Sequence, residues 1–248
     1  MSGATDTPTP ERFRGVVDIG PEKTVGRPTI YVYEAPVRLW HWVNALCIVV
    51  LAVTGYLISA VPFNVPGEAS NSFLFGYIRF THFSAAYVLT VFFLLRIYWA
   101  IVGNRHARQI FYLPVWSRTW WAGVFWELRW YAFLVPEPKK YVGHNPLAQI
   151  SMFFVVTLGT IGMIVSGFAL YSEAEGRDSW QAKLFGWVFD IFPNSQDVHT
   201  WHHLGLWVIV SFSIIHIYAA VREEIMSRQT MIATMISGER QFRDDRDD

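Results

Sequence analysis

The sequence predicts an all-α membrane protein, a four-transmembrane-helix bundle with an interfacial helical segment in the loop between helices 2 and 3. Three observations predict it. Of the 248 residues, 52% are hydrophobic and only 16% charged, which is more apolar than an ordinary soluble domain. Four apolar stretches, at about 38–60, 78–102, 147–171 and 200–221, reach the ~20 residues that a bilayer core requires. The 12 tryptophans suit a chain that sets amphipathic rings at two membrane interfaces.

Residues 1–30 are polar and rich in Thr, Pro and charge, with no apolar run of the kind that a cleaved signal peptide carries. They read as a flexible cytoplasmic N-terminal tail. The domain proper is expected over 31–225, followed by a cytoplasmic C-terminal tail over 226–248. No charged side chain falls between Leu39 and Gly67, between Tyr141 and Ser172, or between Val198 and Val221, so the first, third and fourth spans are clear. The second carries Arg96 late in an apolar run.

Orientation follows from where Lys and Arg fall. The N-terminal segment (Arg12, Arg14, Lys23, Arg27, Arg38), the middle loop (Arg105, Arg108, Arg118, Arg129, Lys139, Lys140) and the C-terminal segment (Arg222, Arg228, Arg240, Arg243, Arg246) are basic. These are assigned to the cytoplasm, which places both termini there. The two remaining loops face outward, to the periplasm in a Gram-negative cell. In the middle loop, Trp116, Trp120, Trp121, Trp126 and Trp130 interleave with Arg118, Glu127 and Arg129. That pattern reads as one or two helices lying in the cytoplasmic interface, rings down and charges up.

Lys+Arg equals Asp+Glu at 20 each, so net charge gives no indication of nucleic-acid binding. The single cysteine, Cys47, excludes a disulfide framework and a self-contained iron-sulfur cluster. It reads as a small packing residue, and the chain lacks the thiolates that a nickel centre would use.

Histidines carry the chemistry. His41, His82, His202, His203 and His216 fall inside the spans, where a polar ring is costly unless it faces an interior and has a partner. With alternating span direction, His41 and His216 lie towards the cytoplasm, and His82 lies outside with His202 or His203. The 14-residue step from His202 to His216 covers ~21 Å and returns to within ~40° of the same face, whereas the 13-residue step from His203 is off by ~140°. His202 is therefore preferred, and the role of His203 stays open. Two imidazole pairs at two depths match two bis-histidine haems; tetrahedral zinc would want four ligands at one depth. Small residues in phase with the histidines, Gly55 and Gly205 among them, would admit a flat ring, although helix packing uses the same residues. Arg96, 14 residues after His82, could meet a haem propionate or snorkel to headgroups.

The runs Tyr31-Val-Tyr-Glu-Ala-Pro-Val-Arg-Leu-Trp-His-Trp, Tyr141-Val-Gly-His-Asn-Pro and Gln196-Asp-Val-His-Thr-Trp-His-His-Leu-Gly closely resemble the b-type cytochrome subunit of membrane-bound nickel-iron hydrogenases, from about Tyr31 to Phe242. The resemblance implies two b haems held by the pairs His41/His216 and His82/His202. It also implies anchoring of a periplasmic hydrogenase, of large and small subunit, in the bacterial inner membrane. Docking would use the outer loops and a C-terminal transmembrane helix of the small subunit. Electrons would pass from its iron-sulfur clusters to membrane quinone, and the chain would be no enzyme on its own. Rival readings are the cytochrome b of another quinone-linked oxidoreductase such as formate dehydrogenase, a b561-like quinol oxidoreductase, or a haem-free anchor or metal-ion transporter.

Overall fold

The computed structural model describes residues 29–60 and 72–242. Residues 1–28 of the tail expected over 1–30, residues 61–71 and the final arginines Arg243 and Arg246 lie outside the described residues. Four helices are long and apolar enough to cross a membrane: α1 (Ala35–Ser59), α2 (Leu74–Val102), the composite third span Pro146–Glu175 and α8 (Ser195–Ser227). Their outer faces stay apolar and uncovered, with Leu46, Ile101 and Ile214 each well over half exposed, as lipid-facing positions require. α1 packs most extensively along α2, and the third span along α8, with α1 and α8 meeting between the two pairs.

Each helix begins where the sequence offers the right chemistry. Pro36 sits in the first turn of α1, where a missing N–H costs nothing. The carboxylate of Glu34, just before it, accepts from Trp99 Nε1 and from the backbone N–H of Asn104, both at 2.9 Å, and so ties the start of α1 to the end of α2. Asn194 caps α8 by accepting from the N–H of Gln196 at 3.0 Å. α8 has 33 residues, about 50 Å at 1.5 Å per residue, and outruns a ~30 Å bilayer core. The hydropathy boundaries at 200 and 221 fall short because both ends carry polar and charged residues, Gln196 and Asp197 at one and Arg222, Glu223 and Glu224 at the other.

The third span is not one uniform helix. It runs as α4 (Pro146–Ser151), a π-helical segment (Met152–Leu158) and α5 (Gly159–Glu175). Within the wider turn, Thr157 is buried and its hydroxyl donates to the carbonyl of Ile110 at 2.8 Å. Wide turns of this kind are single-turn insertions and frequently mark functional sites; hydropathy does not register them. Beyond α5, the short helices α6 (Trp180–Phe185) and α7 (Val188–Ile191) fold back over the bundle end. Phe185 stacks on Phe168 at 5.2 Å, and Val188 joins Ala169 and Val198 in a small core.

The opposite end adds structure that the apolar pattern does not carry. The fold is helical as expected, but two short strands, β1 (Thr29–Tyr31) and β2 (Glu239–Gln241), pair antiparallel with Ile30 opposite Arg240. The segment expected as a tail from 226 is folded: α8 continues to Ser227, α9 spans Met231–Ser237, and β2 returns to β1. Gly238 makes the return possible. Its φ of +87° suits glycine, and a Cβ there would lie 2.5 Å from the carbonyl oxygen of Tyr33. Arg240 is 2% exposed and donates to the carbonyls of Tyr141 and Gly143 at 2.8 and 3.0 Å, which locks β2 onto the loop before α4.

The middle loop forms one helix, α3 (Arg118–Tyr131), capped by Ser117, whose hydroxyl accepts from the N–H of Trp120. Its rings do not all point one way. Trp120 and Trp130 are buried, while Trp121 and Phe125 are exposed. Glu127, expected among the upward charges, is 1% exposed, because α3 packs this face on α4 and carries Glu127 inside with Trp120, Val124 and Trp130.

Candidate cofactor site

α1 and α8 bring His41 and His216 together, ring centroids 6.4 Å apart and planes at 58°. Two metal–nitrogen bonds of about 2 Å, with ~1 Å from each ring centre to its nitrogen, would set the centroids about 6 Å apart. The pair therefore fits a metal-centred planar group between two imidazoles. His41 Nδ1 is buried with no protein partner, and Phe212 stacks on His216 at 5.8 Å and 12°, holding that ring one turn along the helix.

The second pair sits about as deep on both helices that carry it. His82 of α2 reaches Thr54 of α1, its Nδ1 2.9 Å from the hydroxyl, and Thr54 is 13 residues beyond His41, ~20 Å along the axis. On α8, His202 precedes His216 by ~21 Å, which sets it at about the depth of His82. Two independent helices thus measure the same separation.

The hydroxyls decide the state of both rings. Thr54 donates its one proton to the carbonyl of Val50 at 2.7 Å, so it accepts from His82 Nδ1–H. Ser166 of α5 likewise donates to the carbonyl of Gly162 at 2.7 Å and accepts from His202 Nδ1–H at 2.8 Å. In each ring Nε2 is left with a free lone pair, the form a metal takes, and the hydrogen bond on the far nitrogen fixes its aim. Glycines follow both hydroxyls. A Cβ at Gly55 would lie 3.3 Å from His82 Cε1, and one at Gly167 3.2 Å from His202 Cε1; both rings occupy space that a side chain would crowd.

Of the other residues singled out by sequence, Gly205 lies in the gap between α5 and α8. The thioether of Met163 lies too close to leave room for a Cβ there, so Gly205 permits the close approach of α5 and α8. His203 is engaged on its own helix, where Nε2 accepts from Trp207 Nε1 at 3.0 Å. Arg96 does not snorkel. It is 2% exposed, donates to the carbonyl of Ala107, and lies over the rings of Trp40 and Phe111 at 5.3 and 5.2 Å. Its Nε and Nη1 are buried without a protein partner, at the depth of His41 through Trp40, which leaves them able to meet an anionic group.

A polar shell surrounds this end of the bundle. His144 Nδ1 lies 3.1 Å from the hydroxyl of Tyr33. Burial, then the charge of Arg240, hold His144 down at about 3, hence neutral. Burial pushes the Tyr33 phenol up to about 12. Glu127 is raised to about 7, by burial first and the charge of Glu223 second, with Lys139 opposing. Sequence reading gave Thr54 and His144 no role, counted Ser166 only as a small residue, and set Glu127 among surface charges. One signal was present: Thr54-Gly55 and Ser166-Gly167 repeat the same hydroxyl–glycine pair on two helices.

Four apolar spans, with His41 facing His216 and with His82 and His202 farther along the same bundle, define a helical membrane protein with imidazoles turned into its interior. The chain belongs to the prokaryotic cytochrome b561 family, whose model matches residues 32–238. It is therefore a membrane cytochrome of the b type, an electron-transfer protein rather than a catalyst. Similar proteins include one of Bradyrhizobium diazoefficiens, 67% identical over 92% of this chain and 92% of its own length. Another, of Rhizobium leguminosarum bv. viciae, is 62% identical over 91% and 95%. Both carry the name "Probable Ni/Fe-hydrogenase B-type cytochrome subunit". A "Probable Ni/Fe-hydrogenase 1 B-type cytochrome subunit" of Escherichia coli K12 is 50% identical over 85% and 90%.

Proposed function

We propose that this chain is the di-haem cytochrome b that anchors a nickel-iron hydrogenase to the bacterial inner membrane and carries electrons from hydrogen oxidation to the quinone pool. The observation that carries the reading is the facing pair His41 and His216, at the separation two axial imidazoles need. Haem b supplies one-electron redox chemistry when bound. The protein's part is to hold it. His41 and His216 would ligate one haem, His82 and His202 the other, with Thr54 and Ser166 fixing the tautomers and aiming Nε2. Arg96 offers two unpartnered guanidinium nitrogens to a propionate.

Orientation rests on the basic segments, which set both termini and the α3 loop in the cytoplasm. The α6–α7 end would then face the periplasm and dock the hydrogenase, whose small subunit would add a C-terminal transmembrane helix. Relatives' names support the hydrogenase as partner. The test is haem quantification with reduced-minus-oxidised spectra on the wild type and on His41→Ala, His82→Ala, His202→Ala and His216→Ala. Two haems per wild-type chain are expected, with the His41 and His216 variants losing the same one. A colourless wild type, or four variants that each keep both haems, would overturn the reading.

A further inference from the structure

Glu127 and Glu223 are the buried carboxylates among the described residues, and both lie at the His41/His216 end. Glu127 is 1% exposed, and neither of its oxygens meets a donor at hydrogen-bonding geometry, although Lys139 opposes its rise through a backbone N–H and an ammonium. Glu223 is 6% exposed, and its Oε2 accepts from Asn145 Nδ2 at 3.3 Å. It follows His216 by seven residues, two helical turns, which puts it on the same face of α8 about 10 Å farther along. Asn145 adjoins His144, whose Nδ1 lies 3.1 Å from the Tyr33 hydroxyl. Polar side chains thus run from Glu127 through Glu223 and Asn145 to the neighbourhood of His216.

A buried carboxylate without a well-formed hydrogen bond is expensive, and two acids in one site cannot both stay ionised cheaply. Packing does not require them, since glutamine has the same shape without that cost. The charged and titratable groups around Glu127 are Glu223 of α8, Lys139 and Tyr141 of the loop after α3, and Tyr131 of α3, with Arg222 of α8 acting on Tyr131 and Arg240 of β2 on Glu223. Their balance leaves Glu127 exchanging its proton near pH 7, where a group that passes protons is most effective.

We propose that Glu127 and Glu223 are a proton-exchange pair that supplies the protons consumed when a quinone is reduced at the His41/His216 end of the bundle. The proposal rests on the quinone-linked reading above. Reduction takes two electrons, which the cytochrome delivers, and two protons to give the quinol. In each transfer a carboxyl O–H bond breaks, the proton goes to a quinone oxygen, and water on the Lys139 side reprotonates the carboxylate. The reverse reaction returns protons by the same route and is easier to observe.

The experiment uses the full-length haem-loaded chain in liposomes. The rate at which a short-chain quinol reduces the haem is followed across the neutral pH range, with dithionite reduction as reference. In the wild type the rate should rise through an inflection near pH 7, as the carboxylate becomes free to accept a proton. Glu127→Gln and Glu223→Gln, with unaltered spectra and dithionite reduction, should be slower on the order of 10²-fold and lack the inflection, and Glu127→Asp should restore part of it. Wild-type rates and inflection in both Gln variants would overturn the proposal, and so would loss of haem from both, which would make the acids structural. A wild type that dithionite reduces but the quinol does not, at any pH, would sink the quinone reading itself and the pair's role with it.

Discussion

Thr54→Val isolates the hydroxyl that orients His82. Valine nearly matches threonine in shape at a position that is 8% exposed, so packing changes little, and the loss is one hydrogen-bond acceptor 2.9 Å from Nδ1. Stranding a buried N–H costs about 1–3 kcal/mol. Removing the partner that orients a metal-ligating histidine typically costs 10–100-fold in affinity, about 1.4–2.7 kcal/mol at 1.36 kcal/mol per tenfold, so the two routes agree. The acceptor also makes the imidazole a stronger donor to the oxidised metal. If its loss weakens the oxidised form about threefold more than the reduced form, the potential rises by roughly 30 mV at 59 mV per tenfold. Redox titration with haem quantification reads both effects. One haem should bind more weakly and titrate higher while the other is unchanged, and Thr54→Ser should behave as wild type. Two unshifted potentials at full haem content, or a shift confined to the haem lost from His41→Ala, would refute the reasoning.

Gly167→Val should displace His202 and lower haem content by about one equivalent, since even a Cβ there sits 3.2 Å from the ring, whereas Gly162→Ala, with nothing within 4 Å of the added carbon, should retain both haems. Arg240→Ala removes two charged hydrogen bonds to the carbonyls of Tyr141 and Gly143, each worth about 1.5–3 kcal/mol; a lower Tm and faster proteolysis between α8 and β2 are expected, with the four spans intact. His144 is held neutral in the fold at about 3, against 6.5 for the free group. Acid favours the unfolded chain, which takes up that proton first, so stability should fall as pH drops below 6.5, by up to about 1.4 kcal/mol per pH unit until the folded group also titrates. His144→Gln should flatten that acid limb of the Tm profile.

The four spans were legible in the sequence because lipid demands about 20 apolar residues in a row, a condition that a linear reading tests directly. His41, His82, His202 and His216 stood out for the same reason, as polar rings in apolar stretches at helical spacing. Only the tertiary structure showed what lies beside them. Thr54 and Ser166 read as ordinary small polar residues of packed helices until their hydroxyl protons are seen to point at Val50 and Gly162, which leaves the imidazoles to donate. Glu127 read as a surface charge because nothing local shows that α3 turns that face onto α4. Gly205 and Gly167 look alike in sequence, and only the neighbour across the helix gap separates them, a thioether for one and an imidazole for the other. The pairing of Thr29–Tyr31 with Glu239–Gln241 joins segments some 200 residues apart, each too short to carry a periodicity. Transfer from water to lipid is a property of a segment and can be read one residue after another. Hydrogen-bond direction, burial of charge and strand pairing are properties of contacts, which exist only once the chain has folded.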